Sequence, residues 1–314
     1  MPVEDYLYTI EQCDVPESRR KALGMYRALR TKCLEKIRGS ADNTVANQIN
    51  HLGWQSAVFH TLNEARRIEN DRGVNGAMWN LIVDGYAHIA ALGIRKLVDD
   101  DKRSNSIMRV LLDLESNKHL FVRERFVCYD GLPYDHEAAE ARRLAARDPK
   151  TLGKATWVST TGPEAGFSSS LRHDSFDLIA DTSIATGRTQ PISGDVFDRL
   201  KRKLNSAVVK KVCTMADKVF AHPEQRAPGN PEHANYHEVI EALGIVSQVT
   251  QFISATLLDD SAFGSIVPTA QYEVLENLDQ PWSQTASIEK LDRFWSELTT
   301  SMDLWLETDG LFKD

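Results

Sequence analysis

"DVFDRLKRKLNSAVVKKVCTMADKVFAH", residues 195–222, sets Leu200, Leu204, Val208, Val212, Met215 and Val219 three or four positions apart. That spacing returns a side chain to one face of an α-helix every turn and does not fit the period of a strand. His222 falls three residues after Val219 and prolongs this inner stripe. The proline-rich "PEQRAPGNPEH" that follows ends the helix on Ala221-His222.

The same period recurs on both sides. Leu23, Tyr26, Leu34 and Ile37 mark a helix after Pro16 that ends near Gly39, and Val45, Ile49, Leu52, Phe59 and Leu62 mark a second, with Asp42 or Asn43 as its N-cap. A third, about 75–98, is apolar on nearly every side through Met78, Leu81, Ile82, Tyr86, Ile89, Leu92 and Leu97, a pattern expected in the middle of a bundle. Ile107, Val110, Leu111 and Leu114 predict a shorter fourth. Downstream, Ile240, Leu243, Val246, Thr250, Ile253 and Leu257 share one face, and Ile288, Leu291, Trp295, Leu298, Met302 and Trp305 form a heptad-like seam.

Residues 129–195 break the pattern. "GLPYD", "TTGPEAGFSSS" and "TGRTQPISGD" carry turn-forming residues, so loops are expected around one short helix at about 135–147. "KATWVST" is the best strand candidate. The fold class is therefore all-α: a bundle of long helices with an irregular insertion at about 129–195. The expected organisation is a single helical domain over 1–314, with a first block at 16–128, the insert, a second block at 196–258 and a C-terminal region at 259–314.

Composition narrows the function classes. A hydrophobic share of 42% is too high for a disordered chain, and no apolar run reaches the ~20 residues of a membrane span. The start, "MPVEDYLYTI", lacks the basic and apolar regions of a signal peptide. Cys13, Cys33, Cys128 and Cys213 lie far apart with no CxxC pair, which speaks against a zinc finger or a disulfide framework and suits a reducing cytoplasm. A net charge of −8 disfavours bulk electrostatic coating of nucleic acid. The basic run at 198–211 reads first as the solvated side of a helix, and only second as an RNA-facing patch.

Motifs for metal and cofactor chemistry are weak. None of the nine histidines follows a Glu by three residues, as a di-iron bundle requires. "HEAAE" at 136–140 ends on Glu140 where a zinc protease needs His, and "HANYH" places His233 and His237 one turn apart without a third ligand. Phosphate-binding glycine loops and the Gly-x-Ser-x-Gly elbow are absent from the sequence. No cofactor and no metal are expected. His88, in the most apolar helix, reads as a satisfied core histidine, with a small-ligand pocket beside it as a third-ranked idea. His222, at a helix end before a loop, has either a capping role or a proton-transfer role.

The segment "ADKVFAHPE" (216–224) resembles the Arg-polar-x-x-x-Ala-His-x-Asp/Glu signature of HEPN domains, in particular the branch found in phage abortive-infection proteins. "HIAALGIRKLVDDDKRSNSIMRVLLDL" (88–114) is similar to that family's helix ending in Arg-Leu-x-Asp, with Arg95, Leu97 and Asp99 or Asp100 as the matching residues and one extra residue before Leu97. The resemblance spans about residues 20–258. It implies a helical, homodimeric protein of a phage-defence or toxin-like system, acting on RNA with or without an antitoxin-like partner. It also implies metal-independent cleavage, in which His222 moves a proton while a cation and a polar side chain hold the phosphate. The implied catalytic set is His222, Asp217 and Lys218.

The departure is at Ala216, where the signature has Arg. Alanine cannot grip a phosphate. Either Lys218, Arg226 or a partner chain supplies the cation, or the site is degenerate and the chain is a non-catalytic scaffold or binding module.

Overall fold

The computed structural model describes residues 6–68, 75–146, 159–221, 234–269, 276 and 288–303. The described residues hold eleven α-helices and no strand, with two isolated antiparallel bridges, Val122 to Pro191 and Ala180 to Ile192. The strand candidate "KATWVST" lies mostly outside them, as does Trp305. Contacts group the chain into two units, Met1–Pro268 and Thr269–Asp314.

In the first unit, α1 (Arg20–Arg38) buries Leu23, Tyr26, Leu34 and Ile37 and stops at Gly39, whose N–H donates to the Glu35 carbonyl at 2.9 Å. α2 (Val45–Ile68) is capped by Thr44, whose Oγ1 accepts from Asn47 N–H at 3.2 Å. The cap is thus one residue beyond Asn43 and two beyond Asp42, the positions expected. α4 (Ile107–Ser116) buries all four of its predicted stripe residues beneath a Ser106 cap.

α3 (Gly76–Leu97) corrects its reading as a central helix. Only Ala90, Ala91, Ile94 and Leu97 are buried, while Met78, Leu81 and Ile89 are exposed. His88 is exposed too, its Nδ1 2.7 Å from the Asp84 carbonyl, so it is not a core histidine. Instead of a surrounding bundle, the outer part of α3 has an aromatic stack with α2. The rings of Phe59 and Tyr86 lie 4.2 Å apart, Trp79 stacks on Phe59 at 5.9 Å, and Arg66 sits over Trp79.

The long stretch 195–222 is not one helix. α8 (Gly194–Leu204) and α9 (Ala207–Met215) are separated at Asn205-Ser206, residue types that favour helix ends. The π-helical turn Ala216–Ala221 follows. α9 is rich in β-branched valine, which costs up to about 0.7 kcal/mol per residue in a helix. Burial of Val209, Val212 and Met215 returns about 1.5–3 kcal/mol each and decides the outcome.

α10 (Tyr236–Phe252) and its π-helical extension (Ile253–Leu257) pack against α2, α3, α8 and α9. Against the expectation that no run is apolar enough, Tyr236–Leu257 reaches the length and mean hydropathy of a membrane span. Its buried Ala242, Val246 and Val249 belong to the core.

The insert is more ordered than its composition suggests. α6 (His136–Ala145) matches the one helix expected there, and α7 (Gly166–Asp177) runs through residues read as loop. α6 packs on α7, and α7 on α5 (Arg123–Cys128), which is buried from end to end, Arg123, Glu124 and Arg125 included. Arg123 donates to Gln190 Oε1 at 2.7 Å and pairs with Asp177, and Glu124 sits between Arg188 at 2.8 Å and Arg19 at 3.1 Å. The Tyr129 ring lies between the guanidinium groups of Arg30 and Arg172, 4.2 and 4.4 Å from its centre. Arg172 also binds Asp130 and, at 2.7 Å, Asp259, which holds a positive φ of 48°.

In the second unit α11 (Ile288–Asp303) carries Leu291, Trp295 and Leu298 of the predicted seam, all exposed.

Candidate functional site at the ends of α3 and α9

Two distant sequence segments meet beyond the last turns of α3 and α9. The π-helical turn leaves Ala216 fully buried in the core and puts Asp217 on the surface, its side chain half exposed. Arg95, on the last turn of α3, donates through Nε to both Asp217 oxygens, at 3.1 and 3.2 Å. Its Nη1 also lies 3.5 Å from Asp99 Oδ1. Partial burial works against the Arg95 charge, but the bonds to Asp217 and Asp99 outweigh it and hold the guanidinium above its ordinary pKa.

Cys213, one turn before Asp217, is the nearby thiol. Burial pushes it up to about 11, so it is not a thiolate at neutral pH.

Of the three residues named from the sequence, Asp217 has a defined partner and Lys218 is exposed next to it. His222 lies outside the described residues, as do Arg226 and His233. The partner of Asp217 was legible only as the Arg-Leu-x-Asp echo; no count along the helix pairs residues 95 and 217. Position 216, where the resembled signature has arginine, is a fully buried alanine.

The basic run behaves as a solvated face. Arg199 pairs with Asp195 at 2.5 Å, Lys201 with Glu115 at 2.7 Å and Lys211 with Glu238 at 2.7 Å. Among the described residues no three His, Cys, Asp or Glu side chains gather as a metal site.

A polar groove adjoins the Arg95–Asp217 pair through Asp99, and no motif in the sequence marks it. It has a volume of about 670 Å³ and lies between the start of α2 and the loop 98–106. Asn47, Lys96, Asp99 and Arg103 are among its walls. A smaller groove of about 310 Å³, lined by Lys32, Glu35, Lys36 and Lys102, shares Arg103, Ser104 and Asn105 with it. The separating loop is stapled down: Asn105 Nδ2 donates to the Asn43 carbonyl at 2.9 Å, and Gln48 Nε2 to the Asn43 and Asn105 carbonyls at 2.9 and 3.0 Å. No family model, curated protein or solved structure matches the chain.

Proposed function

We propose that this is a HEPN-like protein acting on RNA, in a phage-defence or toxin-like setting and as a homodimer. The observation that carries the reading is the Arg95–Asp217 ion pair, which joins the two segments that resemble the family. In this reading Arg95 takes over the task of the arginine missing at 216. It exchanges Asp217 for a phosphate oxygen when RNA arrives, and Lys218 adds positive charge. His222 accepts the proton of the ribose 2′-hydroxyl, the 2′-oxygen bonds to the adjacent phosphorus, and the bond from phosphorus to the 5′-oxygen breaks as that oxygen takes a proton from water. The products are a 2′,3′-cyclic phosphate end and a 5′-hydroxyl end.

One observation favours a second reading, a non-catalytic helical binding module. Arg95 already has two carboxylate partners, so the site is neutralised around its cation.

The test is RNA cleavage in excess chelator by the natural chain, His222→Ala and Arg95→Ala, with end-group analysis of the fragments. Cyclic phosphate ends that vanish in both variants support the nuclease. Cleavage that survives His222→Ala sinks it, and an inactive natural chain that still binds RNA favours the binding module. Ala216→Arg is expected to unfold the chain at lower denaturant rather than to activate it, because it forces a charge into a filled core.

A further inference from the structure

We propose that the groove between the start of α2 and loop 98–106 binds the ribose-phosphate chain of single-stranded RNA, an inference that rests on the RNA-directed reading above. Lys96 and Arg103 are exposed on its walls. Lys96 suits a phosphate oxygen as a point charge, while the Arg103 fork donates to Asp101 through Nε and Nη2 at 3.1 and 2.9 Å and must exchange that carboxylate for a phosphate. Asp42 and Asp99 share those walls, and the Asn47 side chain, whose Nδ2 donates to the Ala41 carbonyl, leaves its amide oxygen as an acceptor. Two carboxylates beside two cations leave the walls with no net positive charge, so a bare anion gains little there. They suit a ligand that carries hydrogen-bond donors next to its phosphates, and a ribonucleotide chain does so through its 2′-hydroxyls and base amino groups.

Two further features favour a strand over a free nucleotide. The bonds of Asn105 and Gln48 hold the loop in place, so little ordering remains to be done on binding. Asp99 lines the groove and also contacts Arg95, so a strand in the groove runs on toward the Arg95–Asp217 pair. The smaller groove beyond Arg103 brings Lys102 to the same path.

The experiment is fluorescence anisotropy with a labelled single-stranded 12-nucleotide RNA of mixed sequence, the same sequence as DNA, and adenosine monophosphate as competitor. It uses the full chain in a His222→Ala background, so that cleavage does not enter. Lys96→Glu and Arg103→Glu are each expected to weaken RNA binding about tenfold and to lower the slope of log affinity against log salt by about 1. Both positions are exposed, and thermal melts check that the variants fold. RNA bound as tightly by the variants as by the parent overturns the groove. Equal affinity for the DNA overturns the ribose assignment, and displacement by micromolar adenosine monophosphate replaces the strand with a nucleotide. The two readings fail separately. Cleavage that needs His222 but ignores Lys96 and Arg103 removes the groove alone, while groove-dependent binding without cleavage removes the nuclease alone. A chain that binds no single-stranded RNA overturns both.

Discussion

The segment around α5 and the outer part of α3 invert the usual relation between polarity and depth. α5 carries Arg123, Glu124 and Arg125 into the interior, while α3 carries Met78, Leu81 and Ile89 into water. The first is stable because nearly every buried charge has a partner: Gln190 and Asp177 for Arg123, Arg19 and Arg188 for Glu124, and the Leu120 and His119 carbonyls for Arg125. The second persists because Phe59 of α2 and Tyr86 of α3 stack on each other and are joined by Tyr236 of α10, which ties the outer part of α3 to the edge of the core. Depth alone therefore does not measure how much a side chain matters. What matters is whether its partners lose something when it goes.

The sharpest way to break this contrast is at Arg123. Arg123→Ala removes a fully buried cation and strands Gln190, and is expected to cost about 3–5 kcal/mol in urea unfolding. A loss below 1 kcal/mol means the network is decoration rather than an anchor.

Asp113 gives an intermediate case, because it is buried but its partners reach solvent. Lys32 and Lys36 lie 3.2 and 3.3 Å away, and Arg109 completes the set. Burial raises its pKa, but these partners together outweigh burial and hold the carboxyl below its ordinary value. A depressed carboxylate stabilises the fold fully above its unfolded pKa of about 3.9 and loses that contribution as pH falls through the folded value. Asp113→Asn is expected to cost about 1.5–3 kcal/mol at neutral pH. It is also expected to flatten the fall in stability below about pH 4, read by denaturant midpoints across pH. Parallel pH profiles for the two chains contradict the assignment.

The smallest effect belongs to the exposed helix. Leu81→Glu is expected to stay within about 0.5 kcal/mol of the parent. A cost above 2 kcal/mol, or a change in sedimentation, means that another surface covers α3 in solution.

These regions also mark where sequence reading works. Stripes such as Leu23, Tyr26, Leu34 and Ile37 foretell burial because a single face meets a single core. α3 misleads because hydrophobicity all round its axis names no face, and the environment is set by whether other helices reach it. α7 misleads the other way: "GFSSSLRHDSF" has loop-like composition, yet Ser169 Oγ donates to the Pro133 carbonyl at 2.5 Å and Phe176 is buried. Its helix is stabilised by tertiary partners that no local window contains. At the candidate site the resemblance singles out Asp217 and Lys218, but the bond from Arg95 to Asp217 crosses 122 residues, a separation beyond any local window.

The two π-helical turns bear on how such a chain tolerates change in length. A π turn is an α-helix that has taken in one extra residue, and each residue along a helix turns the following side chain by about 100°. Ala216–Ala221 thus acts as a phase shifter between the core stripe of α9 and whatever follows it. Ile253–Leu257 does the same just ahead of Asp259, the residue that Arg172 holds in a left-handed conformation. Losing one residue from either turn restores plain α-helix and leaves the stripes before it untouched, but rotates everything after it to another face. In this protein, spacing along the chain and position around the axis are separable quantities, and the junctions where they part company lie beside Asp217 and Asp259.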